Sequence, residues 1–532
     1  MIKEQKHSSG APARKVLLAG YYGFGNAGDE AILSVIVEDL GRLAGPIDIV
    51  VVSGDPEATT KSYNLRAVRF TDIARIIDEI ETCDLVILGG GGLFQDYWGF
   101  DPTNLLTRNY TNIAYYGTMA VLATILDKHL MLYSVGVGPL FSQPSREHTR
   151  LSFEQASRAT VRDAESRALL AACGLDPSRV EVCADPAFRL EPASKQEARN
   201  ILKAEGLSMN GEPLIGVSLR SWSMGASIEH WTREVAKALD WFVSRHNARL
   251  LFLPLQTTGE HLTDDSAISK QVIDQLRKKE LAHIIRGEYR AREIAGLLAV
   301  CDMVVGMRLH SIIFAANSSV PAVGLVYDEK VRIVMKQLKC DRLAIDLGAV
   351  TAGDLLRAME QAYADREAIS TSLRTYHEEL ALRSERSSIL AAELLKELPQ
   401  KLRPLPIDIQ DLLKQAALNL ADQIEVREKT IDRLKAELKD LALSSAEKDQ
   451  NISSLLGQLD ERRQAAGAFA GLLSEKEQTI GSLSESLTRL RRRAAEDEKL
   501  IDELNSLISD LQSQILEQLE KFVEKQSQVD SL

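Results

Sequence analysis

The strongest chemical signal in the chain is a pair of residues, Arg308 and His310, in the stretch Gly306-Met307-Arg308-Leu309-His310. Arginine suits a carboxylate or phosphate, which its planar fork can grip through two hydrogen bonds. Histidine titrates near neutrality and suits proton transfer. The two alternate about Leu309, so both side chains enter one cleft if the chain is still extended there. A surface arginine and a core histidine would be the plainer reading of such a pair alone. The apolar run before it, the small residues Ser311, Ala315 and Ala316 after it, and a second apolar run at 322–325 favour a site.

Further cations accompany the pair. Lys330, in Tyr327-Asp328-Glu329-Lys330, follows the second apolar run, with a solvated lysine as the competing reading. Arg162, in Thr160-Val161-Arg162-Asp163, and Arg220, closing the run 214–219, are two more candidates. Trp222 is placed to stack on a sugar ring or to be a partly buried aromatic.

Two glycine-rich stretches carry the second signal. Gly23-Phe24-Gly25-Asn26-Ala27-Gly28-Asp29-Glu30 lies between an expected strand and an expected helix. Glycine permits positive φ and close backbone approach, and a helix N-terminus offers unpaired N–H groups to an anion. Gly25, Asn26 and Asp29 are therefore candidate binding residues. Gly23, Gly25 and Gly28 have dinucleotide-fingerprint spacing, but Asp29 and Glu30 put negative charge where a pyrophosphate would lie. A tight turn with Asp29 as a first-turn or capping acid weighs equally. In Gly89-Gly90-Gly91-Gly92-Leu93-Phe94-Gln95-Asp96, four glycines in a row are entropically costly. A ligand close to Gly90 and Gly91 explains that cost better than packing alone, and Gln95 and Asp96 would then meet sugar hydroxyls. There is no His-Glu-x-x-His, no cysteine cluster and no Gly-x-Ser-x-Gly elbow, so neither a metal site nor a serine hydrolase is expected.

These residues need a scaffold. Strands are expected over 15–20, 47–53, 84–88, 129–135 and 180–183, with a helix over 29–43. The polar stretch 195–211 reads as a connection. The pattern then restarts with strands over 214–219, 250–254, 303–305 and 322–325, and helices over 229–246 and 266–279. Such alternation implies parallel sheets covered on both faces, whose ligands lie beyond the carboxyl ends of the strands. The expected fold class is α/β: two Rossmann-like domains over 15–190 and 191–400, the second with closing helices after Asp346. A flexible tail covers 1–14. Pro399, Pro404 and Pro406 mark a break before a third segment, 401–532.

In that segment Ile431, Leu438, Ile452, Leu459, Ala466, Leu473, Ile480, Leu487, Ala494, Ile501, Ile508, Ile515 and Phe522 share one heptad register, interrupted by Ser445. Leu434, Leu441, Leu455, Phe469, Leu483, Leu490, Leu504 and Leu511 supply the second seam position, with polar breaks at Lys448, Arg462, Lys476, Asp497 and Gln518. A seam this long implies a coiled coil, and hence an oligomer. A single amphipathic helix folded back on the globular part is the weaker alternative.

Composition sets outer limits. Across 532 residues, 45% apolar and 26% charged content is that of a soluble globular chain. A net charge of -12 argues against nucleic acid as partner but allows a local basic pocket. The five cysteines have no zinc or redox spacing and read as reduced thiols in the cytoplasm. The longest apolar stretch, 113–126, is too short for a membrane span and reads as a buried helix. Contact with a membrane-bound substrate would then be peripheral, at the inner face of the plasma membrane.

Taken together, Gly23–Glu30, Gly89–Asp96, Ser134-Val-Gly-Val-Gly-Pro139, Val161-Arg-Asp163, Ala184-Asp-Pro-Ala-Phe188 and Gly306–His310 resemble the polysaccharide pyruvyl transferase family, closest to its CsaB-type cell-surface-anchoring branch. The motifs keep the family's order over roughly the first 350 residues, the scale of a two-domain enzyme; the coiled coil lies outside the likeness. The resemblance implies a GT-B-like pair of Rossmann domains, phosphoenolpyruvate as co-substrate without another cofactor, and a pyruvate ketal on a sugar as product. In that branch the acceptor is a lipid-linked or nucleotide-linked amino sugar of a cell-wall polymer, and the product anchors S-layer proteins. Carried over by motif, His310 is the acid or base, Arg308 and Arg162 clamp the donor's anions, and Lys330 stabilises departing phosphate. The competing expectation is a sugar-nucleotide glycosyltransferase of the same shape.

Overall fold

The structure, a computed structural model, describes residues 13–97, 99–100, 113–257 and 264–398, followed by helical stretches and single positions between 426 and 513. The chain divides into two units, residues 1–100 with 108–411, and 101–107 with 412–532.

The first unit opens with β1 (Arg14–Ala19), α1 (Ala27–Leu43), β2 (Ile47–Ser53), α2 (Pro56–Tyr63), β3 (Arg66–Arg69), α3 (Ile73–Thr82), β4 (Leu85–Gly89), α4 (Ile113–Ile125), β5 (His129–Val135), α5 (Gln143–Glu154), β6 (Arg158–Val161), α6 (Ala164–Ala172) and β7 (Val180–Val182). The seven strands form one parallel sheet in the order β3-β2-β1-β4-β5-β6-β7. Continuous apolar runs such as Val16-Leu17-Leu18 and Leu85-Val86-Ile87-Leu88 are fully buried, as strands covered on both faces must be.

A second α/β set follows: α7 (Lys195–Ala204), β8 (Leu214–Ser218), α8 (Ile228–His246), β9 (Arg249–Phe252), α9 (Asp265–Gln275), β10 (Ala282–Ile284), α10 (Ala291–Ala299), β11 (Met303–Gly306), α11 (Leu309–Asn317), β12 (Ala322–Val326), α12 (Glu329–Gln337), β13 (Ala344–Asp346), α13 (Ala352–Ala364) and α14 (Arg366–Glu397). Its six parallel strands run β10-β9-β8-β11-β12-β13. In both sheets the order reverses once, between β1 and β4 and between β8 and β11. Such switch points open crevices at the strands' carboxyl ends. The two glycine stretches follow β1 and β4; Arg220 and the Arg308/His310 pair follow β8 and β11.

Several expectations need correction. Residues 195–204 are a helix and not a connection. Ser194 and Glu197 form a capping box, and Ala198 and Leu202 are its buried positions. Six polar residues in ten, around Ala198, Ile201, Leu202 and Ala204, made the stretch read as polar in the sequence. Strands β3, β6, β10 and β13 were not expected; each has only three or four residues, and all but β6 lie at sheet edges. The stretch 113–125 is the expected buried helix. Among the described residues no helix is long and apolar enough to cross a membrane. All five cysteines are free thiols.

Helix α14 belongs by sequence to the second α/β set, yet it packs along the first. Ser387 Oγ meets Ser134 Oγ at 2.8 Å and Thr160 Oγ1 at 2.9 Å, and Ser388 Oγ donates to Asp39 Oδ2 at 2.8 Å. Arg189 donates twice to the same Asp39, at 2.8 and 3.0 Å. Burial acts to raise the Asp39 carboxyl, but the hydrogen bonds from Arg189, Arg42 and Ser388 outweigh it and hold it below the usual range.

In the second unit, residues 429–441 are helical. Ile431 and Leu434 are buried there with Leu438 against them, and Leu487 is buried further on. All four are seam positions. Most other seam residues between Ile452 and Phe522 lie outside the described residues, as do the tail 1–12 and the prolines from Pro399 to Pro406.

Candidate functional site

The site is built where the first turn of α1 meets the first turn of α11. Asn26 caps α1, its side chain accepting from Gly28 N at 3.0 Å, while Gly23 N donates to Glu30 Oε1 at 2.7 Å and closes the glycine loop. Gly23 and Gly25 both have positive φ, which glycine alone adopts freely. The loop faces the second α/β set: Ala27 N donates to Leu255 O at 2.8 Å, and Thr257 N to Gly25 O at 3.3 Å. Gly25 and Asn26, expected to meet ligand, thus form a seam between the two sheets' loops. A Cβ on Gly25 would stand 3.2 Å from Thr257 O.

Gly28 has a different neighbour. A Cβ there would lie 1.9 Å from His310 Nδ1, so the missing side chain is what lets the imidazole reach α1. His310 Nε2 is buried, forms no hydrogen bond among the described residues, and lies 3.7 Å from Asp185 Oδ1. Asp185 in turn accepts from Arg162 Nη1 at 3.0 Å and from Ala187 N at 3.1 Å. Burial acts to raise Asp185; His310 and Arg162 outweigh it and hold the carboxyl down at about 2. Asp29 sits in the same cluster. Burial drives its carboxyl up to about 6, against the opposing pull of His310 and Arg162. Asp185 was not singled out in the sequence as a site residue; its signal was the motif Ala184–Phe188.

The glycine run after β4 has a structural cause. Gly90 and Gly91 have positive φ, and a Cβ on Gly90 would lie 2.1 Å from Ile32 Cγ2 on α1. Packing against α1, rather than a ligand, excludes a side chain there. Gly92 is different: its position faces Arg162 Nη2 and Gln95 Oε1 at 3.6 and 3.8 Å, so Gln95 stays beside the cleft cations. Asp96, expected to meet sugar hydroxyls, instead accepts from Phe141 N, Ser142 N and Ser145 Oγ at 2.6 to 3.0 Å and organises the start of α5.

Arg308 and His310 do not point the same way. The chain is no longer extended, because α11 begins at Leu309 with Arg308 at its N-cap. Arg308 turns to Asp265, donating from Nε at 2.9 Å and Nη2 at 2.6 Å. Asp265 also accepts from Leu255 N and Gln256 N, at 3.1 and 3.0 Å. Lys330, in the first turn of α12, pairs with Asp328 at 2.7 Å. Arg220 Nη1 donates to Tyr327 Oη at 3.1 Å, its guanidinium 5.3 Å from the Trp222 ring centre and 5.2 Å from that of Tyr327. Burial acts to raise the Tyr327 phenol, but Lys330 and Arg220 outweigh it and lower it.

Two sheets with facing switch points, joined by a helix that returns to the first, make a GT-B-like architecture. UDP-GlcNAc 2-epimerase from Neisseria meningitidis, solved with UDP-GlcNAc, matches at a TM-score of 0.50 and 10% identity over 72% of this chain and 100% of that one. HepE from Anabaena, solved with UDP and glucose, matches at 0.50 and 13% identity over 72% and 100%. At these identities the likeness concerns the fold. The sequence carries the rest: the profile of the polysaccharide pyruvyl transferases matches residues 26–329, and the chain belongs to that family. It is also 22% identical over 388 residues to the amylovoran biosynthesis protein AmsJ of Erwinia amylovora, covering 64% of this chain and 90% of that protein.

Proposed function

We propose that this protein transfers the three-carbon unit of phosphoenolpyruvate to a sugar of a polysaccharide precursor, forming a pyruvate ketal. The observation that carries the reading is His310, whose buried Nε2 lies 3.7 Å from the Asp185 carboxylate that Arg162 also grips, with Arg220 and Lys330 following strands β8 and β12 of the same sheet. A donor bearing both a carboxylate and a phosphate needs such cations. One sugar hydroxyl attacks the central carbon of the donor while the methylene carbon gains a proton and becomes a methyl group. A second hydroxyl then displaces phosphate and closes the ketal. Of the two hydroxyl protons, one ends on the methyl carbon and the other on phosphate. His310 carries the first transfer, and Lys330 stabilises the departing phosphate.

The acceptor is a lipid-linked or nucleotide-linked sugar with two hydroxyls close enough to be bridged, which places the enzyme in the cytoplasm or at the inner membrane face. The likeness to AmsJ, an amylovoran biosynthesis protein, supports a role in polysaccharide biosynthesis, whether the polymer is of the cell wall or extracellular. The C-terminal heptads pair chains. The test is phosphate release from phosphoenolpyruvate by the purified full chain, with and without a panel of such acceptors. Acceptor-dependent release with pyruvate found on the sugar is expected. Release of a nucleotide from a sugar nucleotide, with phosphoenolpyruvate untouched, would replace this reading with a glycosyltransferase.

A further inference from the structure

Three of the four cations around the cleft are already paired: Arg162 with Asp185, Arg308 with Asp265 and Lys330 with Asp328. Arg220 is the exception. Among the described residues it forms no ion pair, and its partner is the neutral hydroxyl of Tyr327. The carboxylates that act on it electrostatically, Asp265 and Asp328, each pair with another cation. Arg220 leaves β8 at the switch point of the second sheet, where ligands of such sheets lie. Trp222 and Tyr327 flank its guanidinium, which fixes the fork before a ligand arrives.

We propose that Arg220, rather than the motif arginine Arg308, takes an anionic group of the donor, and that Arg308 is a positioning residue. The inference rests on the phosphoenolpyruvate reading above. Arg308 cannot turn to a ligand without giving up its two hydrogen bonds to the buried Asp265. What the Arg308–Asp265 pair does hold is the loop at Leu255 and Gln256. That loop bonds to Gly25 and Ala27, the turn that starts α1. His310 rests on that same helix start, at Gly28. Arg308 therefore acts on chemistry through the seating of His310, and Arg220 acts on donor affinity directly.

The experiment measures phosphoenolpyruvate binding by titration calorimetry on the full chain, with steady-state kinetics alongside. Arg220→Ala should weaken binding at least tenfold with the melting temperature kept, and Arg220→Lys should raise the donor KM while recovering part of the affinity. Arg308→Lys should lower kcat with the donor KM within twofold of the parent. Unchanged binding in Arg220→Ala, or a donor KM that rises in Arg308→Lys and not in Arg220→Lys, would overturn the inference. If Arg220→Ala does not fold, Trp222 reports instead: phosphoenolpyruvate should change the fluorescence of the parent and not that of Trp222→Phe, and equal changes in both would overturn it. A parent that binds a sugar nucleotide and no phosphoenolpyruvate removes the enzymatic reading itself, and this inference with it.

Discussion

His310 and Asp29 share one buried cluster but answer to different measurements. Removing the imidazole takes away the proposed proton carrier, and general acid–base groups are worth about 10²- to 10⁴-fold. His310→Ala should lower acceptor-dependent phosphate release by that order, with a melting temperature close to the parent's. Parental turnover in this variant would exclude the role. Asp29 is a stability matter. Its folded carboxyl titrates at about 6, above the ordinary 3.8. The folded state therefore gains from this group fully below the ordinary value, and the gain is lost as pH rises through the folded one. Denaturant unfolding of parent and Asp29→Asn, compared between roughly pH 4 and pH 7, should show the parent losing up to about 3 kcal/mol relative to the variant. Parallel pH curves would mean that burial does not raise this carboxyl. Asp185 has the opposite sign, since its carboxyl is held down at about 2. Its contribution is present above the ordinary carboxylate range and is lost only in strong acid.

At the scale of the element, two glycines that look alike in the sequence do different work. Gly28 lies in the first turn of α1, beneath the imidazole, and Gly90 follows β4 against Ile32. Gly28→Ala should displace His310 and cut turnover at least tenfold, for an overpacking cost of about 1–3 kcal/mol. Gly90→Ala combines a clash with a positive φ, so its larger effect should be on the melting temperature. Kinetics and thermal unfolding of both variants check the contrast; a Gly28→Ala enzyme with parental kcat would show that His310 has room to move. Elements were legible where apolar runs were long, as in β1, β2 and β5. They were faint where strands had three or four residues with charged ends, as in β3 (Arg66–Arg69), because burial on one edge leaves too short a pattern. The start of α11 at Leu309 was also hidden, and with it the divergence of Arg308 from His310.

Over the whole molecule, α14 is the feature that domain boundaries drawn along the chain do not anticipate. Its serines are bonded to Tyr133, Ser134, Thr160 and Asp39 of the first α/β set. A chain ending before Arg366 would uncover Asp39 and these hydroxyls, and should fail to give a cooperative unfolding transition. A chain ending at Asp411, the limit of the first unit, should keep acceptor-dependent phosphate release. If the heptads pair chains, light scattering should find that shorter chain in a lower oligomeric state than the full one. Equal masses per particle would assign assembly to the globular unit instead.

The α/β class, the longer strands and the family follow from local pattern and motif, because hydrophobic period and glycine spacing are properties of neighbours in the chain. Which cation pairs with which carboxylate does not. Arg308 and Asp265 are 43 residues apart, Arg162 and Asp185 23 apart. Charge neutralisation between such residues is decided only when strands set at a distance in sequence come side by side. The same holds for Gly90, which the sequence alone assigns to a ligand and α1 claims for packing. Residue type raised the expectation of an anion-binding, proton-transferring site; tertiary contact decided which arginine faces a carboxylate of its own and which bonds a phenol instead.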